Sequence, residues 1–155
     1  GFIAPPAELM FSRYRTRGFQ QTMDNHGLAI EKSWLVEGDL TQSGGARAIE
    51  KLVDLDPPLT AVVCGNDLMA IGAMNRLQQL EIEMAIAGFD DIPLAAYTNP
   101  PLTTVRQPIY EIGQLTCSIL VDLINGRPPE KDHILLTPEL IVRESSIAVV
   151  TNLRR

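Results

Sequence analysis

The sequence has little of what marks several large classes of protein. Its 13 lysines and arginines are outnumbered by 19 aspartates and glutamates, so the formal net charge is -6. Non-specific binding to a phosphate backbone needs clustered basic side chains, so this segment is not expected to grip nucleic acid by itself. No apolar run reaches the ~18 residues of a membrane-spanning helix. With 45% hydrophobic residues, the 155-residue chain has the composition of one ordinary globular domain.

Cysteine is also scarce. Cys64 and Cys117 lie far apart, and no C-x-x-C spacing occurs. This pattern argues against a disulfide framework and against a zinc site, and it predicts two reduced, packed thiols in a cytosolic protein. The chain opens "GFIAPP", without a methionine or a charged stretch, which predicts that it has no signal peptide and begins inside a strand.

Motifs of enzymes and of metal or nucleotide sites are missing as well. No G-x-S-x-G, G-x-G-x-x-G, G-x-x-x-x-G-K-[ST] or H-E-x-x-H motif is present. The two histidines, His26 and His133, fall at a predicted helix end and a predicted strand start. The sequence therefore predicts a protein that is not an enzyme and that has neither a cofactor nor a bound metal.

What the chain does have is a regular alternation of apolar runs and helical patterns. The run "TAVVCG" is fully apolar and rich in β-branched residues, as in a buried parallel strand. Apolar residues at helical spacing follow it. Such alternation predicts an α/β fold, in which helices flank a parallel sheet. The predicted strands are 1–4, 33–38, 60–65, 84–89, 102–107, 133–138 and 140–145, and the predicted helices are 7–26, 42–54, 67–80 and 108–125.

In open parallel sheets, ligands bind outside the carboxyl ends of the strands. We therefore expect the polar side chains that follow the predicted strands to converge at one edge of the sheet. A carboxylate among them accepts two hydrogen bonds and suits sugar hydroxyls or ring N–H groups. These side chains are Arg15, Asp39, Asn66, Asp67, Asp90 and Asp91.

Each candidate also has a purely structural interpretation. Adjacent carboxylates diverge, so one of Asp90 and Asp91, more readily Asp91, is expected to serve only a turn or a helix cap. The same holds for Asp67 beside Asn66, whose amide both donates and accepts. Arg15 could lie on a solvated helix face.

Five stretches of the sequence resemble one family. They are "SRYRTRGFQQTMDNHG", "VEGD", "AVVCGNDLMAIGAMNRLQQL", "AGFDDIPLAAYTNPPLTTVRQPIYEIGQ" and "LLTPELIVRESS". Together they resemble the lactose repressor / galactose repressor family of bacterial transcription regulators over nearly the whole chain. The resemblance implies the periplasmic-binding-protein fold, in which two α/β lobes enclose an effector cleft.

The resemblance also implies roles for four residues. Arg15 matches the arginine that clamps the effector, Asp90 the aspartate that binds its hydroxyls or ring nitrogens, and Asn66 an asparagine that lines the cleft. Leu40 stands where many members stack an aromatic ring on the ligand. We therefore expect a small or aliphatic effector, with Leu40 either a pocket wall or a loose core contact.

The resemblance divides the chain. Residues 1–106 match the C-terminal lobe, 107–136 a segment that crosses back to the N-terminal lobe, and 137–155 a return strand and tail. The helix-turn-helix and the first half of the N-terminal lobe have no counterpart in this sequence. Family members have a longer turn where only "EIE" joins Leu80 to Met84, so a tight crossover is expected there.

The implied protein is a cytoplasmic homodimeric repressor. Its effector would be a sugar or a related metabolite, and it would bind operator DNA through a domain outside this sequence, without contact to a membrane. The helix at 67–80 is a candidate dimer surface through Met69, Met74 and Leu77, and the alternative is simple packing on the sheet. Two competing classes are a periplasmic-type sugar-binding protein of the same fold and a sugar-modifying enzyme.

Overall fold

The computed structural model describes residues 1–128 and 133–147. Six strands and four α-helices alternate along most of this length. The strands are β1 (Phe2–Ala4), β2 (Leu35–Glu37), β3 (Ala61–Cys64), β4 (Ala85–Ala87), β5 (Thr104–Arg106) and β6 (Glu139–Ile141), and the helices are α1 (Met10–Asn25), α2 (Gln42–Val53), α3 (Asp67–Gln79) and α4 (Ile109–Ile124).

Four strands form the parallel sheet that the sequence predicted. Their order is β2-β1-β3-β4, and each neighbouring pair is parallel. Parallel strands are usually covered on both faces, which explains why these strands are short apolar runs. In β3, however, buried and exposed residues alternate, and Val63 is 38% exposed. Fully buried side chains such as Ile3, Val62 and Ile86 centre the core on β1, β3 and β4.

Helices α2 and α3 pack closely because a glycine of each helix lies against the backbone of the other. A Cβ atom added at Gly45 of α2 would collide with the backbone of Met69, and one added at Gly72 of α3 would collide with the backbone of Gln42. Larger residues at these positions would force the two helices apart. The two glycines thus set how near α3 lies to α2.

The end of the chain differs from the prediction. Residues 133–138, predicted as a strand, form no regular element, and the predicted strand at 140–145 is reduced to β6. β6 pairs antiparallel with β5, so this small sheet does not continue the parallel pattern. Isolated parallel bridges, such as Asp90 with Arg106, nevertheless set β5 alongside the chain that leaves β4. The run 133–138 is apolar, but an apolar run becomes a strand only if it finds a pairing edge.

The short crossover after α3 closes with a left-handed residue. Glu81 has a φ of 56°, and the N–H groups of Glu81 and Ile82 donate to the carbonyls of Gln78 and Leu77 at 3.2 and 3.0 Å. This is the Schellman arrangement, with glutamate at a position usually held by glycine. It reverses the chain within a few residues, so β4 can begin at Ala85.

The structure decides between the two interpretations of α3 and corrects one expectation about a cysteine. Met69, Met74 and Leu77 lie in the hydrophobic core, so they leave no apolar surface for a dimer, and packing on the sheet and α2 accounts for them. Cys64 is buried as predicted, and burial raises the pKa of its thiol, but Cys117 is exposed on α4. Helical spacing identifies an apolar face but not the surface that covers it.

None of the helices in residues 1–128 and 133–147 combines the length and apolar character that crossing a bilayer requires.

Candidate functional site

Arg15 lies at the centre of the candidate site. It sits on α1, and its guanidinium reaches the carboxyl ends of β3 and β4. Nη1 donates to the carbonyl oxygen of Gly65, and Nη2 lies 3.4 Å from Oδ1 of Asp90. The Arg15 and Asp90 side chains are 16% and 28% exposed. The structure therefore brings together the two charged residues to which the family resemblance assigned the effector, and it leaves both partly open to solvent.

Two aromatic rings flank the guanidinium of Arg15. Its central carbon lies 3.8 Å from the ring centroid of Phe89 and 4.8 Å from that of Phe11. Both distances fall within the range of a cation–π interaction. The rings restrict the orientation of the arginine, so its remaining N–H groups keep a fixed direction.

Asp90 is held in an unusual backbone conformation. Its φ is 124°, a value that side-chain-bearing residues rarely adopt, while its N–H donates to Val105 at 2.9 Å. Such backbone concentrates at ligand sites, where the surrounding structure maintains it. Burial raises the pKa of Asp90 above its ordinary value, and the charge of Arg15 opposes that shift.

Gln107, just after β5, completes this cluster. Its Nε2 donates to Oδ1 of Asp90 at 2.8 Å. Sequence reasoning did not single out this residue, because it placed Gln107 inside the predicted strand at 102–107, whereas β5 ends at Arg106. Its amide oxygen gives the cluster an acceptor beside the carboxylate.

The side chain of Asn66 hydrogen-bonds to two backbone groups. Its Oδ1 accepts from the N–H of Met69 at 2.9 Å and thereby caps α3, and its Nδ2 donates to the carbonyl oxygen of Leu40 at 3.0 Å. The amide therefore ties the loop after β2 to the start of α3. Leu40 itself has a φ of 66° and is partly buried against the core. Both ends of the Asn66 amide therefore bind backbone groups of the protein itself, and Leu40 packs against the core.

Asp67 has a larger role than the simple cap that the sequence favoured for it. Asn66 caps α3, as expected for an asparagine that directly precedes a helix, and Asp67 is buried. Its Oδ1 accepts from the hydroxyl of Thr104 at 2.5 Å, and its Oδ2 accepts from the N–H of Ile92 at 2.9 Å. Burial raises the pKa of Asp67. Asp67 thus joins α3 to β5 beneath the site.

Asp91 and Asp39 also have partners within the chain. Asp91 is 8% exposed and pairs with Arg143 at 2.7 Å and with Arg106 at 2.6 Å. This agrees with the structural role expected for it. Asp39 accepts from the hydroxyl of Thr41 at 2.5 Å and pairs with Arg47 at 2.6 Å. Of the polar residues expected to converge, only Arg15 and Asp90 contact each other directly through their side chains.

A cavity of about 320 Å³ lies elsewhere in the molecule. It is bounded by the end of α3 and the start of β4, through residues that include Met74, Leu77 and Met84. None of the four candidate residues lines it. The charged side chains that line this cavity, Glu83 and Glu144, are both acidic, whereas the open edge combines the cation of Arg15 with the carboxylate of Asp90. We therefore place the candidate site at that edge.

Comparison with known proteins identifies the family. A model of the periplasmic binding protein-like domain matches residues 1–146. The chain belongs to the periplasmic binding protein-like domain family.

Within that family, the similar proteins are regulators, as the sequence motifs predicted. The HTH-type transcriptional repressor CytR of Escherichia coli K12 is 37% identical over 153 residues, which are 96% of this chain and 45% of the repressor. The chain thus spans about half the length of the curated relatives that it matches. A LacI-family regulatory protein from Chloroflexus aggregans superposes with a TM-score of 0.87 at 38% identity, over 94% of this chain and 54% of the other.

A third match comes from a ligand complex. The structure of the transcriptional regulator CelR with cellobiose has a TM-score of 0.89 and 30% identity, over 94% of this chain and 46% of that chain. These matches show the family and the fold, and the proteins that this chain resembles are transcriptional regulators.

Proposed function

We propose that this chain is part of the effector sensor of a transcriptional repressor. A small effector binds at the edge formed by Arg15 and Asp90 and is enclosed by a second lobe. Its binding changes the relative position of the lobes and hence the affinity for operator DNA. This is a coupling between two sites through a two-state hinge.

The observation that carries the proposal is the ion pair between Arg15 and Asp90. It lies where strands end, which is where open α/β sheets bind ligands. Both side chains are mostly removed from water yet remain partly open. Hydrogen bonds to a partly dehydrated charge are stronger than those to a neutral group, so this pair can hold an uncharged polar ligand.

We infer that the effector is a sugar or a related metabolite. A carboxylate, a guanidinium and the amide of Gln107 offer both donors and acceptors at one edge, which suits neighbouring hydroxyl groups. The similar CelR structure was determined with cellobiose. Asn66 and Leu40 take part by shaping the cleft behind the charged pair.

The proposed division of the chain follows the resemblance. Residues 1–106 form one lobe, 107–136 cross to the other, and 137–155 return. The exposed apolar side chains of α4, among them Ile109, Leu120 and Ile124, support this division, because such a surface is usually covered by another part of a protein. The helix-turn-helix and the rest of the second lobe would be supplied by sequence outside this chain.

We further propose a cytoplasmic homodimer that binds its operator through that outside domain. A periplasmic-type sugar-binding protein would share the fold but would not bind an operator. The similarity to a named repressor favours the regulator, and it gives no support to the alternative of a sugar-modifying enzyme. A gel-shift assay with the whole natural protein and its own upstream DNA separates the classes, since only the regulator gives an effector-dependent shift.

The binding site is tested by calorimetry on the whole natural protein. Arg15→Ala and Asp90→Asn should each weaken effector binding by at least about 30-fold, because each removes a charged group that would hydrogen-bond to the effector. Arg76→Ala is a matched control, since Arg76 pairs with Glu50 at 2.6 Å far from the strand ends. Unchanged affinity in either site variant would show that the site is wrongly placed.

A further inference from the structure

We propose that Phe11 determines the effector specificity of this site. Its ring supplies the face on which a ring-shaped effector stacks, in place of an aromatic residue at position 40. The inference rests on the proposed effector site at Arg15 and Asp90 and names the chemical class of ligand that this site selects.

The helix geometry places Phe11 at the site. Phe11 and Arg15 are four residues apart on α1, so they lie on the same face of the helix. Since Arg15 points to Gly65 and Asp90, Phe11 is directed to the same edge of the sheet. The distance of 4.8 Å from the Arg15 guanidinium carbon to the Phe11 centroid confirms this placement.

The two rings beside Arg15 differ in what they offer. Phe89 precedes Asp90, lies 3.8 Å from the guanidinium carbon, and is partly buried. Phe11 is 40% exposed. Phe89 therefore supports the arginine, and Phe11 retains open ring surface next to the charged pair.

Leu40 does not compete for this role. It is partly buried against the core, and its loop is fixed by the hydrogen bond from Asn66. The absence of an aromatic ring at position 40 led us to expect a small or aliphatic effector. The position of Phe11 reverses that expectation, because an aromatic face is present from a different element.

The arrangement fits a ligand with a flat, weakly polar face and a polar edge. Such a ligand can stack on Phe11 while its edge binds Arg15, Asp90 and Gln107. A pyranose and a nucleobase share this chemistry, whereas an acyclic polyol has no flat face. We therefore expect the site to prefer a ring over an open-chain compound of similar polarity.

The test uses calorimetry on the whole natural protein with two groups of probes. The ring probes are glucose, galactose, ribose, cellobiose, adenosine and uridine, and the open-chain probes are sorbitol and mannitol. The preferred ring probe distinguishes a sugar effector from a nucleobase effector. It is then titrated into Phe11→Leu, Phe11→Tyr and Tyr97→Leu. Tyr97 is the matched control, since its side chain is 84% exposed and it lies two residues before Asn99, which lines the cavity at the start of β4.

We expect Phe11→Leu to weaken binding about tenfold, since aromatic stacking on a ring contributes on that order. Phe11→Tyr should stay within about threefold of the unaltered protein, because it keeps the aromatic face, and Tyr97→Leu should leave the affinity unchanged. Rescue by tyrosine separates stacking from a general effect on the helix. Thermal unfolding of each variant checks that the fold is intact.

Two results overturn the inference while leaving the proposed function in place. One is a ring probe that requires Arg15 and binds Phe11→Leu as tightly as the unaltered protein. The other is a preference for sorbitol or mannitol over every ring probe. If no probe binds, or if the bound probe is indifferent to both Arg15→Ala and Asp90→Asn, the proposed site fails and the inference fails with it.

Discussion

Helices α3 and α4 are both largely apolar, yet they have opposite surroundings. More than half of the 13 residues of α3 are buried, whereas none of the 16 residues of α4 is buried. α3 packs on the sheet and against α2, with Gly72 at the contact. Among the described residues, α4 has no comparable partner. A helix with this much apolar surface gains little from folding unless something covers it.

The difference in burial between α3 and α4 supports the proposed division of the chain into two lobes. The sheet, α2 and α3 form a core, and at its edge Asp90 meets Arg15 of α1. α4 leaves this core after β5 and the chain returns at β6. On the proposed account, the second lobe covers α4, and the effector binds between that lobe and the strand ends.

The largest contrast is expected from matched leucine substitutions in the 155-residue chain. Leu77 of α3 is 4% exposed and Leu120 of α4 is 57% exposed. Leu77→Ala should lower the free energy of unfolding by about 3 kcal/mol, because it leaves a cavity in the core. Leu120→Ala should change it by less than about 0.5 kcal/mol. Urea denaturation measures both, and equal losses would break the comparison.

Two matched glycine-to-alanine substitutions should change the free energy of unfolding in opposite directions. A Cβ at Gly72 would collide with the backbone of Gln42, while a Cβ at Gly113 of α4 meets no atom within 4 Å. Gly72→Ala should therefore destabilise the chain by about 2 kcal/mol or more. Gly113→Ala should stabilise it by about 0.5 kcal/mol, since alanine is the better helix former.

Thermal or urea unfolding of the two glycine variants gives the signs directly. Gly45→Ala is a second test of the same contact, because its Cβ would meet the backbone of Met69. Stabilisation by Gly72→Ala, or strong destabilisation by Gly113→Ala, would show that the two helices are packed differently from this account.

A smaller effect is expected at the junction from which α4 departs and to which the chain returns. Asp91 joins Arg106 of β5 to Arg143, just after β6. Asp91→Asn should cost about 2 kcal/mol at neutral pH, the usual loss for hydrogen bonds to charged groups. Arg76→Ala should cost less than about 1 kcal/mol, because its ion pair with Glu50 is more exposed.

The effect of Asp91→Asn should depend on pH. Burial acts to raise the pKa of Asp91, but hydrogen bonds and charges from Arg143 and Arg106 outweigh it and hold this pKa below its usual value. A lowered folded-state pKa contributes stability above the unfolded value of about 3.9, and this stability is lost as the pH falls through the folded value. The variant and the unaltered chain should therefore converge in stability well below pH 4. A difference that persists there would rule out the ionic explanation.

Much of the architecture could be predicted from the sequence because the core is made from strongly periodic segments. The strand around Val62 could be predicted from its apolar run, and the helix after Asn66 from its apolar spacing and its capping residue. The topology rule for parallel sheets also brought Arg15 and Asp90 to one edge before any contact was known. That part of the site follows from where strands end.

The remainder depends on tertiary neighbours that a linear pattern does not specify. Helical spacing did not distinguish the covered Met69 from the exposed Cys117. The role of Asp67 depends on Thr104, which is 37 residues away, and that of Asn66 depends partly on Leu40, which is 26 residues away. The apolar stretch at 133–138 read as a strand, although pairing begins only at Glu139. Phe11 escaped notice because its ring matters only beside Arg15 in space.

The most direct test of the account is amide hydrogen exchange on the 155-residue chain at several protein concentrations. The account predicts that core amides of α3, such as Ala70 and Ala73, exchange only when the whole core unfolds. Amides of α4 should exchange at least about 100-fold faster, because no described residue buries that helix. Equal protection of α3 and α4 at every concentration would contradict the account, since α4 would then have its full packing partner within this chain.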